Sequence, residues 1–560
     1  MMTIPSWVML ITAGLIVFVA GQPRASLRQE REGRMQGWIC VLALILGCVL
    51  RLASLSSLLP GLSAEEALVG VQAKALWQTG GFYPDGMLTT LLPQWTGAHT
   101  GPLLCALTAP FVGLMGISAL SVRLPLALLS IAAIPAAYVL GCELSGRKAG
   151  RFLWVIYALA PYFVLGARMT CGANAVLYML PIAAALLAVG LRKPAFLYPG
   201  MIVLALSAYT QQMMLLISPL TVVGVAVIAL LHGKNRLHAL LSAVLGFALS
   251  MPALLTACVN IAGTDGFALM NFVQIPGYDL FVNHLLTNLP TENGLAHVVH
   301  ALLAKTWCAV IGGIFQAVWT ENIHSSLFMP DGMLALTVVS VPLMLLAAGT
   351  LAMQCIDGKK CAQEHRASRR MLVMMFVVAL ACVAVLGGEG SYDVGGAPDV
   401  FDHMPLFFFA AVLMAAGWRQ IQQRSCVAQN LLAVLLAVCF AGVGVHLFGG
   451  DYRMNANIYF DGFADACVRA REIQDERGGK IHVTTAVYPH VAPYDASEMM
   501  YMFAVDADMR EEQDMEPFYA SSVEYADETQ IYVVESSEIS GWDWGEMNYE
   551  EFGNYAVIAG

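Results

Sequence analysis

Charge is what this chain lacks. Only 12% of its 560 residues are Asp, Glu, Lys or Arg, while 58% are apolar; a soluble domain carries roughly 25% charged residues. That scarcity excludes the row of soluble domains that the length alone would suggest. Acids are concentrated at one end while bases are sparse throughout. Residues 451–560 hold 23 of the 40 acids and 6 of the 29 bases, a net of −17, and the rest of the chain carries +6. A strongly charged region of that sign repels phosphate, so nucleic acid is excluded as a partner. Paired-cysteine motifs are missing as well. The 13 cysteines lie mainly in or beside apolar segments, as Cys40, Cys48, Cys105, Cys382 and Cys439 do, and the acidic tail has one, Cys467. Neither a disulfide framework nor a CxxC metal pair can be read from them.

Apolar length is what the chain has. Runs long enough to cross a bilayer, about 17–25 residues, begin near 5, 37, 101, 124, 152, 174, 195, 213, 239, 332, 371, 403 and 430. The expected fold is an α-helical polytopic membrane protein of about twelve to thirteen transmembrane helices with a small external α/β C-terminal domain. Its parts are an N-terminal anchor helix and cytoplasmic loop (1–36), a polytopic membrane domain (37–450) and an acidic extracytoplasmic domain (451–560). The first run has no basic leader and is followed by Arg24, Arg28, Arg31 and Arg34, the pattern of an uncleaved anchor with its N-terminus outside.

Positive-inside counting places 22–36, Arg192–Lys193, His232–His238, Lys359–Arg370 and Arg419–Arg424 in the cytoplasm. The loops 59–100, 258–331 and 388–402, and the whole tail, then face outward from an integral protein of the plasma membrane. Parity requires that 301–319, with Lys305, Trp307 and Trp319, lie at the interface or re-enter. With Arg147, Lys148 and Arg151 inside, 101–142 crosses once, so one of its two apolar runs is a short or tilted half-helix. In the tail, DGFADACVRAREIQDE and SEMMYMFAV read as helices and KIHVTTAVY, QIYVVESS and NYAVIAG as strands.

The first external loop carries the sharpest local pattern. Ser63 followed three residues on by Glu66 has the capping-box spacing, and Leu68, Val71 and Ala75 continue one apolar face, so a surface helix begins here. Glu66 then folds back as a cap and Glu65 is left to face a cavity; alternatively, both acids simply suit a helix N-terminus. With Glu66 chiefly a cap, Glu66→Gln is expected to keep the fold and much of any activity.

Arg51 in a span, the acidic pair, Gly80, Trp95–Gly97, Pro102 and the string SVRLPLALLS together resemble the C-type glycosyltransferases of family 39, which include protein O-mannosyltransferases and the lipid A aminoarabinose transferase. APYFVLGARMTCGANAVLYML and LSAYTQQMMLLISPL continue the likeness, which covers about residues 45–450. The resemblance implies a C-type fold that takes a sugar from a polyprenyl-phosphate donor and passes it to an external glycan, lipid or protein acceptor. No cofactor is implied beyond that donor substrate. The family's base is the first acid of an Asp-Glu pair and matches Glu65, where Glu replaces Asp; the added methylene shifts the carboxylate by about 1.5 Å, and misplacement near 1 Å can cost about a hundredfold.

Elementary chemistry asks for the same groups. A hydroxyl attacking a sugar C1 needs a carboxylate to take its proton, and a phosphate leaving group needs cationic or N–H partners. Glu65, beside Glu66, is the candidate for the first. Arg168 is the candidate for the second, or else a snorkelling interface arginine. Trp95 and His99 are placed to contact a sugar or to belong to an aromatic belt. Asn174 and the Tyr209–Gln211–Gln212 cluster are polar groups at external helix ends, set either to bind substrate or to meet water. Arg51 should find a carbonyl or carboxylate inside the membrane. Asp265, Asp279 and Asn283 are possible acceptor or headgroup contacts. Asp393, Asp399, Asp402 and His403 have ligand chemistry for a divalent cation but meet no spacing rule, so a metal is not expected. The rival functions are a transporter or lipid flippase, for which no internal repeat is visible, and a non-catalytic relative, suggested by Glu in place of Asp.

Overall fold

A computed structural model of the chain describes residues 34–58, 62–84, 86–92, 100–233, 235–277, 303, 306, 343–344, 346–347, 366–386, 400–423, 425–448, 462–484, 496–511, 513–518, 527–541, 544–545 and 547–560. Within them the membrane region begins with α1 (Arg34–Leu52) and α2 (Ala64–Thr79), followed by a two-residue β1 (Leu88–Thr89), α3 (Pro102–Met115) and α4 (Ala119–Ser145). Next come α5 (Arg147–Leu159), the one-turn α6 (Pro161–Leu165), α7 (Gly172–Gly190), α8 (Leu197–Leu206), α9 (Met214–His232) and α10 (Arg236–Ala262). Strands β2 (Phe267–Leu269) and β3 (Val273–Ile275) precede α11 (Arg366–Leu386), α12 (Val400–Gln422) and α13 (Cys426–Phe448).

Among the described residues seven helices are long and apolar enough to cross a membrane: α4, α7, α9, α10, α11 and segments of α12 and α13. The runs expected from 152 and 195 are shorter than a span for a local reason. Pro161 cannot continue α5, which stops after 13 residues, about 20 Å. One-turn 3-10 segments, Pro194–Phe196 and Ser207–Tyr209, flank the ten-residue α8. The N-terminal run and 301–319, save Leu303 and Thr306, lie outside the described residues.

Packing relates the two apolar runs of 101–142 to the surface helix before them. Thr100, just before α3, meets Glu65 at the start of α2, and Gly113, near the end of α3, lies directly under the ring of Trp77, near the end of α2. The two helices therefore run side by side in one direction. α4 also starts at Glu66 through Arg123, and of α3 and α4 it is α4 that is long and apolar enough to cross a membrane.

One polar cluster ties the helices where α5 breaks. Tyr157 would give its carbonyl to the N–H four residues on, but that residue is Pro161, which has none. Arg51 replaces the missing donor: its guanidinium bonds the Tyr157 carbonyl at 2.6 Å, Ala158 at 2.7 Å and Phe163 at 2.9 Å, besides Gly47 and the Ser130 hydroxyl. The expected intramembrane partner of Arg51 is thus a set of backbone carbonyls, that of Tyr157 freed by a proline.

The two ends of the helix bundle differ in chemistry. From Arg123 to Leu144, α4 rises about 32 Å, one hydrocarbon thickness. At the far end Arg369 bonds the Leu144 carbonyl, Arg192 pairs with Glu143, Arg370 meets His232 and Tyr198 meets His238. At the near end β1, β3 and β2 form a small sheet that joins the first and second loops, with β3 parallel to β1 and antiparallel to β2.

The tail is an α/β unit. Helices α14 (Phe463–Arg477) and α15 (Ala496–Ala504) accompany a five-stranded sheet of β4 (Ile481–Thr484), β5 (Met515–Phe518), β6 (Ile531–Glu535), β7 (Asn548–Phe552) and β8 (Tyr555–Ala559). Its order is β5-β4-β6-β8-β7. The strands not expected from the sequence, MEPF and NYEEF, are the two edges. A proline and a run of exposed acids are tolerated there and hide the alternating pattern.

Candidate active site

The first turn of α2 sets the site. Ser63 caps the helix as its spacing predicted: its hydroxyl accepts from the Glu66 N–H at 3.3 Å, and the Glu66 carboxylate accepts from the Ser63 N–H at 3.2 Å. The adjacent Glu65 takes no part in the cap, so its side chain is directed elsewhere.

Glu66 does more than cap. Its two oxygens take a bidentate pair of bonds from the Arg123 Nε and a terminal nitrogen, both 2.8 Å, and Oε1 also accepts from the Thr170 N–H at 3.1 Å. Both side chains are completely buried. Every strong acceptor direction of Glu66 is engaged and its charge is matched, which makes it a fixed anchor between α2, α4 and the 168–172 segment. The expectation of a mild Glu66→Gln is corrected by this pair: loss of the charge would strand a buried guanidinium.

Glu65 has a different environment. Oε2 accepts from the Thr100 hydroxyl at 2.7 Å, and that hydroxyl accepts from the Gly172 N–H at 3.0 Å. The Cys171 thiol also bonds the carboxylate. Glu65 therefore sits on two neutral donors, with no cation paired to it among the described residues. The N-terminal turns of α2 and α7 converge on it, and the positive ends of both helix dipoles point there. A carboxylate held in this way has no ion pair among the described residues to give up before it accepts a proton.

The remaining expected residues are placed as follows. Arg168 is buried and gives its terminal nitrogens to the carbonyls of Leu50, Arg51, Ala53 and Ser54 at 2.8–3.2 Å, closing the C-terminal end of α1. Those donors bind backbone carbonyls, which gives Arg168 a helix-terminating role. Asn174 donates to the Met169 carbonyl at 3.1 Å and accepts from the Tyr162 hydroxyl at 3.1 Å, which stiffens the turn that presents Thr170 to Gly172. Tyr209 gives its hydroxyl to the Leu249 carbonyl at 2.6 Å.

Gln211 is 2% exposed, and among the described residues its side-chain nitrogen meets no partner. It follows Thr210, whose carbonyl accepts from the Gly101 N–H at 2.6 Å, so Gln211 lies on the turn that braces the Thr100–Gly101 hinge beside Glu65. Gly101 is required in that place, because a Cβ would collide with the Tyr209 backbone. Trp95, His99, Asp279, Asn283, Asp393 and Asp399 lie outside the described residues, Asp402 is described for its backbone alone, and Asp265 is exposed. Among the described residues no group of three His, Cys, Asp or Glu could hold a metal.

Sequence reasoning missed four members: Thr100, Arg123, Thr170 and Cys171. Arg123 carried a signal, since a lone arginine inside an apolar run must be paired. The other three are ordinary small residues whose roles arise only from proximity.

No family model matches the chain, and no curated protein matches it. Among solved structures the chain is similar to ArnT from Cupriavidus metallidurans bound to undecaprenyl phosphate, at 15% identity over 94% of this chain and 99% of that one, with a TM-score of 0.47. It is also similar to the archaeal oligosaccharyltransferase AglB from Archaeoglobus fulgidus in complex with an inhibitory peptide and a dolichol-phosphate, at 13% identity over 83% of this chain and 64% of that one, with a TM-score of 0.47. The chain thus spans just under two thirds of that archaeal protein.

Proposed function

We propose that this chain is a membrane glycosyltransferase that moves a sugar from a polyprenyl-phosphate donor to an acceptor hydroxyl, with Glu65 as general base. The observation that carries the reading is the division of labour between adjacent carboxylates: Glu66 is locked against Arg123 while Glu65 rests on a hydroxyl and a thiol. The residue resemblance to family 39 supports the same reaction class. The acceptor O–H gives its proton to Glu65, the acceptor oxygen bonds the sugar C1, and the bond from C1 to the phosphate oxygen breaks, so the polyprenyl phosphate leaves as an anion. General base catalysis of this kind contributes about 10²–10⁴ in rate.

Gln211 supplies a buried amide donor for a sugar or acceptor hydroxyl near the Thr100–Gly101 hinge. The working face is external and the protein resides in the plasma membrane. The basic helix ends near Leu144, Arg192, His232 and Arg369, which share the opposite face, support that sidedness. A transporter is disfavoured because Glu65 and Glu66 lie at one face of the helix bundle instead of its midplane.

Transfer from polyprenyl-phosphate sugars by the purified protein in detergent tests the reading. Glu65→Gln keeps the size and removes the proton acceptor, so transfer should fall about a hundredfold or more while donor binding persists. Undiminished transfer by Glu65→Gln would remove Glu65 as base. No turnover by the parent with any donor would favour a non-catalytic relative.

A further inference from the structure

At the face opposite Glu65, α11 opens with three arginines on one side. The aliphatic stems of Arg366, Arg369 and Arg370 border an open, almost wholly apolar hollow of about 440 Å³ on the face of α11, and Val373, Met374 and Val377 continue it along the helix. Arg366 and Arg370 are four residues apart, which makes them neighbours on the helix surface, and like charges at that spacing destabilise a helix. Arg369 is anchored by two bonds to the Leu144 carbonyl at 2.9 and 3.0 Å, and Arg370 touches His232. No carboxylate of the described residues lies within ion-pair distance of Arg366 or Arg370. Below them Val373 and Val377 are 62% and 56% exposed, while Met374 fills the notch at Gly224 of α9.

We propose that this groove is a binding site for an anionic phospholipid of the leaflet opposite Glu65: Arg366 and Arg370 hold its phosphate and the Val373–Val377 stripe takes an acyl chain. Charge complementarity selects the occupant. The guanidiniums favour an anion, the apolar stripe below them favours hydrocarbon, and a phospholipid presents both, with its phosphate above its chains. The site lies about 32 Å along α4 from Arg123, so its lipid is a different molecule from a donor reacting at Glu65. It therefore stands or falls independently of the proposed reaction.

Native mass spectrometry of the purified protein tests this, with phosphatidylglycerol, phosphatidylcholine and inorganic phosphate as probes. The parent should retain phosphatidylglycerol and release phosphatidylcholine. The R366Q/R370Q variant should hold phosphatidylglycerol about tenfold less well, because two basic residues near an anionic surface are together worth at least that. R366K/R370K should keep most of the binding and shows whether any loss in the first variant is one of charge or of folding. Equal retention of phosphatidylglycerol by R366Q/R370Q, or equal retention of the two lipids by the parent, would overturn the site. Displacement of the lipid by millimolar inorganic phosphate would overturn the lipid as its source.

Discussion

Phe503 closes over Gly70: a Cβ at that glycine would lie 2.5 Å from the ring's Cε2. Around this contact, Lys74 on α2 donates to the Asp506 carboxylate at 2.5 Å and to the carbonyls of Asp506 and Ala507 at 2.8 and 2.7 Å, and the Tyr83 hydroxyl bonds Glu498 at 3.2 Å. The acidic tail is thus seated through α15 and the turn after it on the helix whose first turn holds both carboxylates. Gly70→Leu should lift α15 and expose the tail to limited proteolysis. It should also lower kcat for sugar transfer with little change in donor KM, since α2 loses its brace and the donor contacts are untouched. Lys74→Met should do the same more mildly. A proteolysis pattern identical to the parent's for Gly70→Leu would show that the contact is dispensable.

Removing one partner of the buried Glu66–Arg123 pair should be severe. Glu66→Gln or Arg123→Met alone is expected to cost about 3–5 kcal/mol, read as lost yield and a lower unfolding midpoint in detergent. The double variant Glu66→Gln/Arg123→Met should recover a substantial part of that loss, because no uncompensated charge remains buried. Additive losses would mean that the two side chains do not act as a pair.

Gln211 should behave oppositely. Its amide nitrogen is buried without a partner among the described residues, so Gln211→Met removes an unsatisfied donor and should leave stability unchanged or raise it by about 1 kcal/mol. The same variant should raise KM for donor or acceptor several-fold. A clear loss of stability with unchanged KM would make Gln211 a structural residue.

The tail should weaken on its acid side. Burial holds the His482 imidazole, stacked on Tyr532 at 5.2 Å, below its ordinary 6.5, with nearby Glu516 opposing. Above pH 6.5 the folded and unfolded forms are both neutral and this stability is fully present. As pH falls through 6.5 toward the folded value the unfolded chain binds the proton first, so stability declines. Glu516, Asp527 and Glu550, held low chiefly by Lys480, the Thr529 N–H and Arg469 respectively, add a second loss below about pH 4.5. Thermal unfolding against pH, with His482→Phe as the comparison, checks this. The variant should lose the first decline and keep the second.

Local chemistry made part of this molecule legible without coordinates. The cap at Ser63, the apolar helices and the three inner strands of the tail depend on neighbours in the chain and on side-chain periodicity, and both are written in the sequence. The roles of Glu65 and Glu66 were only half written there. The spacing predicts the Glu66 cap, but its cationic partner, Arg123, is 57 residues away. Thr100, 35 residues from Glu65, carries no pattern at all. Arg51 and Arg168 announce only that something polar must meet them; the break at Pro161 and the end of α1 decided that it is carbonyls. The tertiary structure settled these points because a buried charge takes whichever partner the packing of distant helices delivers, and the order of residues along one chain does not encode that packing locally.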